Sequence, residues 1–276
     1  MANDYSLLAG KTAIITGGGR GIGAAAVKLF ATHGANVVLA ELDAEPAEEV
    51  AGEVRAAGGT VVPVIGNITA DGAAENLVKM AVENFGGIDI IVNNAGYTWD
   101  AVAHKMTDEQ WDAILKIHLT APFKIIRAAA PYYREAARKE KEATGEAKAR
   151  KIVNVSSVSG TRGNSGQINY AAGKMGIVGF TKTLAKEWGQ FNVQVNAVAF
   201  GRIETRLTAG KVAGNVTVQD GKEIQLGVPN QDPARLMMIP MQRGGTPEEA
   251  ASALLFFASP LSNYVSGQVL EVTGGS

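Results

Sequence analysis

Thr12-Ala13-Ile14-Ile15-Thr16-Gly17-Gly18-Gly19-Arg20-Gly21-Ile22-Gly23-Ala24 is the stretch from which the rest of the chain is read. Thr12–Thr16 is a short apolar run with the length of a buried strand. It breaks into glycines, and an amphipathic stretch of helical length, Ile22–His33, follows. Glycines placed between a strand and a helix let the backbone approach a pyrophosphate. The helix N-terminus adds unpaired N–H groups and positive partial charge. Alone, Gly17–Gly19 reads equally as a plain tight turn. Its place, straight after the first strand and opening a helix, points to dinucleotide binding.

Outward from this unit the same rhythm repeats. Asn36–Ala40, Thr60–Ile65, Ile88–Asn93, Lys151–Val155, Asn192–Val198 and Gln268–Val272 read as further buried strands. Pro46–Ala57, Ala73–Phe85 and Asp108–Tyr133 read as helices between them. Strand–helix alternation over the whole length predicts an α/β fold: a Rossmann-type doubly wound parallel sheet of about seven strands with helices on both faces. No Pro/Ser-rich linker and no repeat interrupts it, so residues 1–276 read as one domain.

Composition narrows the function. The chain has no Cys, which excludes disulfides, thiolate metal sites and a Cys nucleophile. Its three His, at 33, 104 and 118, show no metal-ligand spacing, so no metal is expected. Lys and Arg number 26 against 27 Asp and Glu, which favours neither nucleic acid nor an anionic membrane as partner. Glycine, at 33 of 276, is well above the usual ~7%, as expected of many tight turns and close backbone contacts. The N-terminal residues lack the basic and apolar regions of a signal peptide, and no run is long enough to span a bilayer. The cytoplasm is the expected compartment.

Two segments break the rhythm. Arg134–Lys151 is dense in charge of both signs and reads as a solvated helix extension and loop. Thr208–Met241 is long and rich in turn residues, including Gly210, Gly214, Gly221, Gly227, Pro229 and Pro233. Such a segment late in an α/β domain suggests a binding loop, and residues 205–243 are expected to form a substrate lid.

The glycine spacing is Gly-x-x-x-Gly-x-Gly, and here the sequence resembles the short-chain dehydrogenase/reductase (SDR) family over essentially its whole length. Thr16–Gly23 is similar to that family's Thr-Gly-x-x-x-Gly-x-Gly. Asn93-Asn94-Ala95-Gly96 matches its motif after the fourth strand. Tyr170 and Lys174 form its Tyr-x-x-x-Lys, and Ser157 stands thirteen residues before the Tyr, where the family places a catalytic Ser. The resemblance implies cofactor contacts from Gly17, Arg20, Gly21, Ile22, Gly23, Asn94, Ala95 and Gly96. Further along, it implies contacts from Gly201, the Ile203 backbone and Thr205. The family's Pro-Gly after the sixth strand is here Phe200-Gly201, which exchanges rigidity for an apolar face.

Glu41, ending the second strand, can accept hydrogen bonds from an adenosine ribose and would repel a 2′-phosphate; otherwise it is an ordinary strand-end acid facing water. Arg20 pulls the other way, towards a 2′-phosphate, or lies over the adenine or on the pyrophosphate. A fixed like charge beside a phosphate is directly costly, so NAD(H) is the expected cofactor, with NADP(H) the alternative. Asn67-Ile68 follows the third strand where the family usually has Asp on the adenine amino group. The Asn67 oxygen is expected to keep that role.

Tyr170 and Lys174, four apart, share a helix face. A nearby ammonium, with the positive nicotinamide of an oxidised cofactor, is expected to lower the phenol pKa and make Tyr170 an acid–base. Ser157 would bond the same substrate oxygen. By the resemblance, Lys174 also holds the nicotinamide ribose, and His118 stands where the family has Asn, whose backbone carbonyl holds a relay water. His118 either keeps that backbone role, adds a titrating group, or is simply a buried imidazole with a backbone partner.

Ser159, Thr161, Asn164, Gln167 and Trp99 are candidates for the substrate side, Trp99 equally as a packing residue. The overall look, including the ending Gly267–Gly275, is similar to 3-oxoacyl-thioester (acyl-carrier-protein) reductases. The expected activity interconverts a secondary alcohol and a ketone on a small-molecule substrate. A steroid, polyol or xenobiotic alcohol is the alternative, and a non-catalytic dinucleotide-binding regulator a remote one. A homotetramer is expected. Apolar faces with Ile125, Ala129, Ile177 and Phe180 would pair across a two-fold axis, as would the last strand.

Overall fold

The computed structural model describes residues 6–211, 214–219, 221–228 and 234–276. Pro229 and Pro233 of the lid expectation and the first five residues of the N-terminal reading lie outside them.

The first half alternates strand and helix: β1 (Thr12–Thr16), α1 (Gly21–Thr32), β2 (Asn36–Glu41), α2 (Ala44–Ala56), β3 (Thr60–Ile65), α3 (Ala73–Phe85) and β4 (Ile90–Asn93). The second half adds α4 (Asp108–Leu115), α5 (Ala121–Thr144), β5 (Arg150–Ser157), the short α6 (Val158–Arg162), α7 (Ile168–Trp188) and β6 (Val193–Phe200). A hairpin of β7 (Val216–Gln219) and β8 (Lys222–Gln225), then α8 (Ala234–Met237), α9 (Pro247–Ala258) and β9 (Val269–Val272), complete it. Seven strands form one parallel sheet in the order β3-β2-β1-β4-β5-β6-β9. Order reverses between β1 and β4, and at such a switch point a crevice opens beyond the strand C-termini.

β1, β4 and β6 are buried along their full length, as strands covered on both faces must be. One face packs on α1, α2 and α9 through Phe30, Leu39, Val54, Leu254 and Phe257. The other packs on α3, α5 and α7 through Leu77, Ile125, Tyr133, Ile152 and Trp188. A smaller cluster joins Ile224 and Leu226 of β8 and its exit to Tyr97, Ile114 and Ile117, with Trp99 and Tyr170 against it.

The helix expected over Asp108–Tyr133 is divided. A capping box, Thr107 with Gln110, starts α4. One wider, π-type turn, Lys116–Thr120, follows it, closed by the Ala121 N–H on the Lys116 carbonyl. The extra residue keeps Ile114 and Ile125 inward and turns Ile117 and His118 inward as well. A proline, Pro131, is carried inside α5, which runs on to Thr144.

Two expectations are corrected. Arg150 and Lys151 are not solvated: they open β5 and are buried, Arg150 held by Glu140 at 2.8 Å and Lys151 by Ser262 Oγ at 3.2 Å. Ile125, Ala129 and Ile177 are not on an outer face; they are buried, Ile125 and Ala129 in the core on that side of the sheet, and Phe180 is half-buried. The exposed apolar side chains of these helices are Phe123 and Tyr132 on α5 and Ile168 and Met175 on α7, between 42% and 50% exposed.

Candidate active site

Thr16, the last residue of β1, organises the crevice. Its Oγ1 accepts from the backbone N–H of Asn94 at 3.0 Å and of Ala95 at 3.1 Å, and donates to the Val92 carbonyl at 3.4 Å. Asn94 Nδ2 donates back to the Thr16 and Gly17 carbonyls, at 2.9 and 3.1 Å. The turn after β1 and the loop after β4 are thus bound into one surface. Gly17 has φ +66°, and a Cβ on Gly23 would stand 1.9 Å from the Gly17 carbonyl oxygen, so the turn can close onto the helix only with glycine there. Arg20, at the N-cap of α1, makes no side-chain cap bond, which leaves the first-turn N–H groups without a side-chain acceptor.

This surface is one wall of a cavity of about 710 Å³. Residues 17 and 20–23, Glu41, Asn67, Ile68 and 94–96 border it. His118, Ser157, Tyr170 and Lys174 border the same cavity, as do Gly201, Ile203 and Thr205. A glycine cradle, an uncapped helix start and a strand-end carboxylate in one crevice fit a dinucleotide.

Glu41 Oε2 accepts from the Gly19 N–H at 2.9 Å and Oε1 from the Leu42 N–H at 2.8 Å, which leaves lone pairs of a four-site carboxylate for further donors. Arg20 pairs with Asp43 at 2.6 Å. Asn67 borders the cavity, and its Oδ1 accepts from both the N–H and the hydroxyl of Thr69, at 2.9 and 2.8 Å, which fixes the amide in place.

Ser157 caps α6, its Oγ accepting from the Ser159 N–H. Asn169 fixes the start of α7. Its Nδ2 donates to the carbonyls of Trp99 and Gln110, and its Oδ1 accepts from the Tyr170 N–H at 2.7 Å. Lys174 Nζ donates to the Val155 carbonyl at 2.7 Å and lies 5.6 Å from the Tyr170 ring centre. Ser156 Oγ donates to the Lys174 carbonyl at 2.6 Å.

Burial dominates the electrostatics of the pair in the protein alone. Burial pushes the Tyr170 phenol up to about 12; a bond with Ser157 opposes this and Asp100 reinforces it. Burial likewise pushes the Lys174 amine down to about 7. Desolvation drives both groups towards neutrality.

On the substrate side Ser159, Asn164 and Gln167 border the cavity. Trp99 does not; it packs on Tyr97 and Ile114. Nor does Thr161, which donates to Glu271. Asp100 was not foreseen. It accepts from Gln167 Nε2 at 3.0 Å, while Gln167 Oε1 accepts from Asn164, and burial raises its pKa. A lone acid on a loop gives no signal in sequence. From the expected lid, Leu207, Leu226, Val228, Met238 and Ile239 supply an apolar wall.

The sequence profile of the short chain dehydrogenase family matches residues 11–215. A 3-oxoacyl-(acyl-carrier-protein) reductase of Thermotoga maritima is 40% identical over 268 residues, which cover 97% of this chain and 98% of that one. An uncharacterized oxidoreductase of Mycobacterium bovis is 41% identical over 270 residues, covering 98% of both. Among solved structures, a double mutant of a Serratia marcescens short-chain dehydrogenase/reductase matches with a TM-score of 0.82 at 28% identity, over 98% of both chains. Among the described residues, no helix is long and apolar enough to cross a membrane, and no group of His, Cys, Asp and Glu is placed to hold a metal. Profile and relatives agree with the geometry of the crevice: the chain belongs to the short chain dehydrogenase family, oxidoreductases that act on CH–OH groups with a nicotinamide dinucleotide.

Proposed function

We propose that this chain reduces the ketone of a 3-oxoacyl thioester to the secondary alcohol, with NADH preferred to NADPH. The observation that carries the reading is the meeting of Ser157, Tyr170 and Lys174 in one cavity with the glycine turn of β1. The nicotinamide, when bound, supplies the hydride for the carbonyl carbon. The chain does the rest. Gly17, the first turn of α1 and Asn94–Gly96 hold the pyrophosphate and ribose side; Glu41 takes the adenosine ribose hydroxyls. Ser157 Oγ and the Tyr170 hydroxyl hold the substrate oxygen. A phenol held at about 12 keeps its proton at neutral pH, ready to give to an oxygen that gains negative charge, which suits the reducing direction. Lys174 Nζ, fixed by the Val155 carbonyl, orients the nicotinamide ribose beside Tyr170.

Support for the acyl thioester comes from the relative in Thermotoga maritima and from the apolar wall of Leu207, Leu226, Val228 and Ile239. The 205–243 segment is read as the substrate lid, the protein as a homotetramer, and the cytoplasm as its compartment. NADH oxidation followed with an acetoacetyl thioester, a steroid ketone and a sugar ketone tests the reading. The thioester should give the highest kcat/KM. Turnover of a steroid or sugar with none of the thioester would overturn it.

A further inference from the structure

Three parts of the site meet on the ring of His118. Its Nε2 lies 2.9 Å from the Tyr97 carbonyl oxygen. A carbonyl only accepts, so Nε2 carries the proton and donates it. The ring meets the Tyr170 ring edge to face, with centres 5.0 Å apart and planes at 85°. A Cβ on Gly96 would stand 2.1 Å from His118 Cε1, so the imidazole lies directly on the Gly96 backbone. On the α7 side, a Cβ on Gly173 would stand 3.1 Å from the His118 Cβ. The imidazole, 4% exposed, is a wedge between the loop that follows β4 and the helix turn that carries Tyr170. The π-type turn brings it there by adding a residue to the helix register.

We propose that His118 is a positioning residue: its Nε2–H ties the loop after β4, through the Tyr97 carbonyl, to the ring of Tyr170, and so fixes where the phenol oxygen stands against the dinucleotide-binding surface. The proposal rests on the reading of Tyr170 as the acid. Lys174 is the charged group facing the ring from α7, beside the phenol of Tyr170; Asp100, on the loop after β4, acts on Tyr170. Burial, followed by Lys174, pushes the imidazole pKa well below its ordinary value, against a smaller upward pull from the Tyr97 bond. Both the clamped geometry and this direction oppose a proton-carrying role, which requires a ring that takes up and releases a proton near neutral pH.

Two measurements on the full-length protein decide it. The first is ¹⁵N NMR of histidine-labelled protein between about pH 6 and 9. His118 should keep Nε2 protonated and Nδ1 bare throughout; a ring that titrates in that range, or the opposite tautomer, overturns the proposal. The second is steady-state kinetics with NADH and an acetoacetyl thioester. His118→Gln can still donate an N–H to the carbonyl and should keep kcat within about 3-fold, with the acid limb of the kcat profile unmoved. His118→Phe keeps the ring without the donor. It should lose at least ~10-fold in kcat with little change in the KM for the thioester, as expected when a reacting group is misplaced. A Phe variant at the parent rate, or a Gln variant as impaired as the Phe variant, overturns the tie. Tyr170→Phe at the parent rate would instead sink the reading of Tyr170, while the NMR tautomer, read without turnover, still decides the hydrogen bond.

Discussion

The Gly19 N–H donates to Glu41 Oε2 at 2.9 Å, and a Cβ on Gly19 would stand 2.8 Å from that same oxygen. The turn after β1 is therefore closed on the acid that ends β2, and the carboxylate is fixed at the border of the cavity, where the proposed function sets the adenosine ribose. Its negative charge cannot swing away from an incoming 2′-phosphate. Arg20, the residue that would favour such a phosphate, is already paired with Asp43. The parent should show a clear NADH preference in kcat/KM. Glu41→Ser or Glu41→Arg should move the ratio towards NADPH by about 10-fold or more, the size of one removed or reversed charge contact. A parent that prefers NADPH would show that Arg20 outweighs Glu41.

Tyr170→Phe removes the hydroxyl and leaves the ring that His118 meets. Turnover should fall at least ~10²-fold, the low end for general acid–base catalysis, while NADH binding, read by fluorescence, persists. Ser157→Ala should fall similarly, because the substrate oxygen loses its other donor. Near-normal turnover in either variant would remove that residue from the chemistry.

Lys174 gives a pH signature in stability. Its amine is held at about 7 in the folded protein against an ordinary 10.5. Between those values the unfolded chain binds the extra proton, so the parent gains stability as pH rises; below about 7 the cost of burying the ammonium is fully present. Lys174→Met should therefore melt higher than the parent near pH 6, with the advantage fading by about pH 10. Each kcal/mol of difference should shift Tm by roughly 2–4 °C. A Tm difference that is flat with pH would contradict a buried, titrating amine.

Two glycines should respond in opposite ways to one methyl group. Gly23→Ala must displace the Gly17 carbonyl and should abolish NADH binding in calorimetry. Gly52 lies in α2 with open space around its Cα, so Gly52→Ala should stabilise the fold by about 0.5–1 kcal/mol in urea unfolding. NADH affinity unchanged in Gly23→Ala would mean the turn is not the pyrophosphate cradle.

The tetramer reading now rests on different side chains: Phe123, Ile168 and Met175 on α5 and α7, and Leu270 on the edge strand β9. Sedimentation of the parent at micromolar concentration should give a tetramer. Met175→Glu together with Ile168→Glu should give a smaller species with its helical circular dichroism intact. A parent mass near 28.8 kDa would refute the expectation.

The sheet was legible because each strand is a short apolar run bounded by turn residues, and covering both faces of a parallel sheet demands such runs. Tyr170, Lys174 and Ser157 stood out through the resemblance to the family's motifs taken together, since a Tyr-x-x-x-Lys pair by itself is common; the fold brings all three to one cavity. What escaped depends on register and on three-dimensional neighbours. The π-type turn at Lys116–Thr120 has no residue signature, since one added backbone atom set in a helix alters orientation and not composition. Ile125 and Ile177 lie on helices with more apolar residues than one stripe needs, and the sequence reading set them on the outer faces when they are buried. The local turn in which Asn67 Oδ1 takes both donors of Thr69 was not foreseen, because it depends on backbone conformation two residues on. The β7–β8 hairpin lies in a turn-rich stretch whose alternation is too short to stand out.

The Thr16 hydroxyl gathers strands β1 and β4, which lie next to each other in the sheet but more than seventy residues apart in the chain. No fragment ending before β4 can assemble the whole dinucleotide surface, because Asn94–Gly96 are part of it. Binding of the nucleotide is thus a proofreading signal for the finished molecule. A nascent or misfolded copy would be passed over by ligand, and a copy that closes its sheet would be held closed in proportion to the logarithm of ligand concentration.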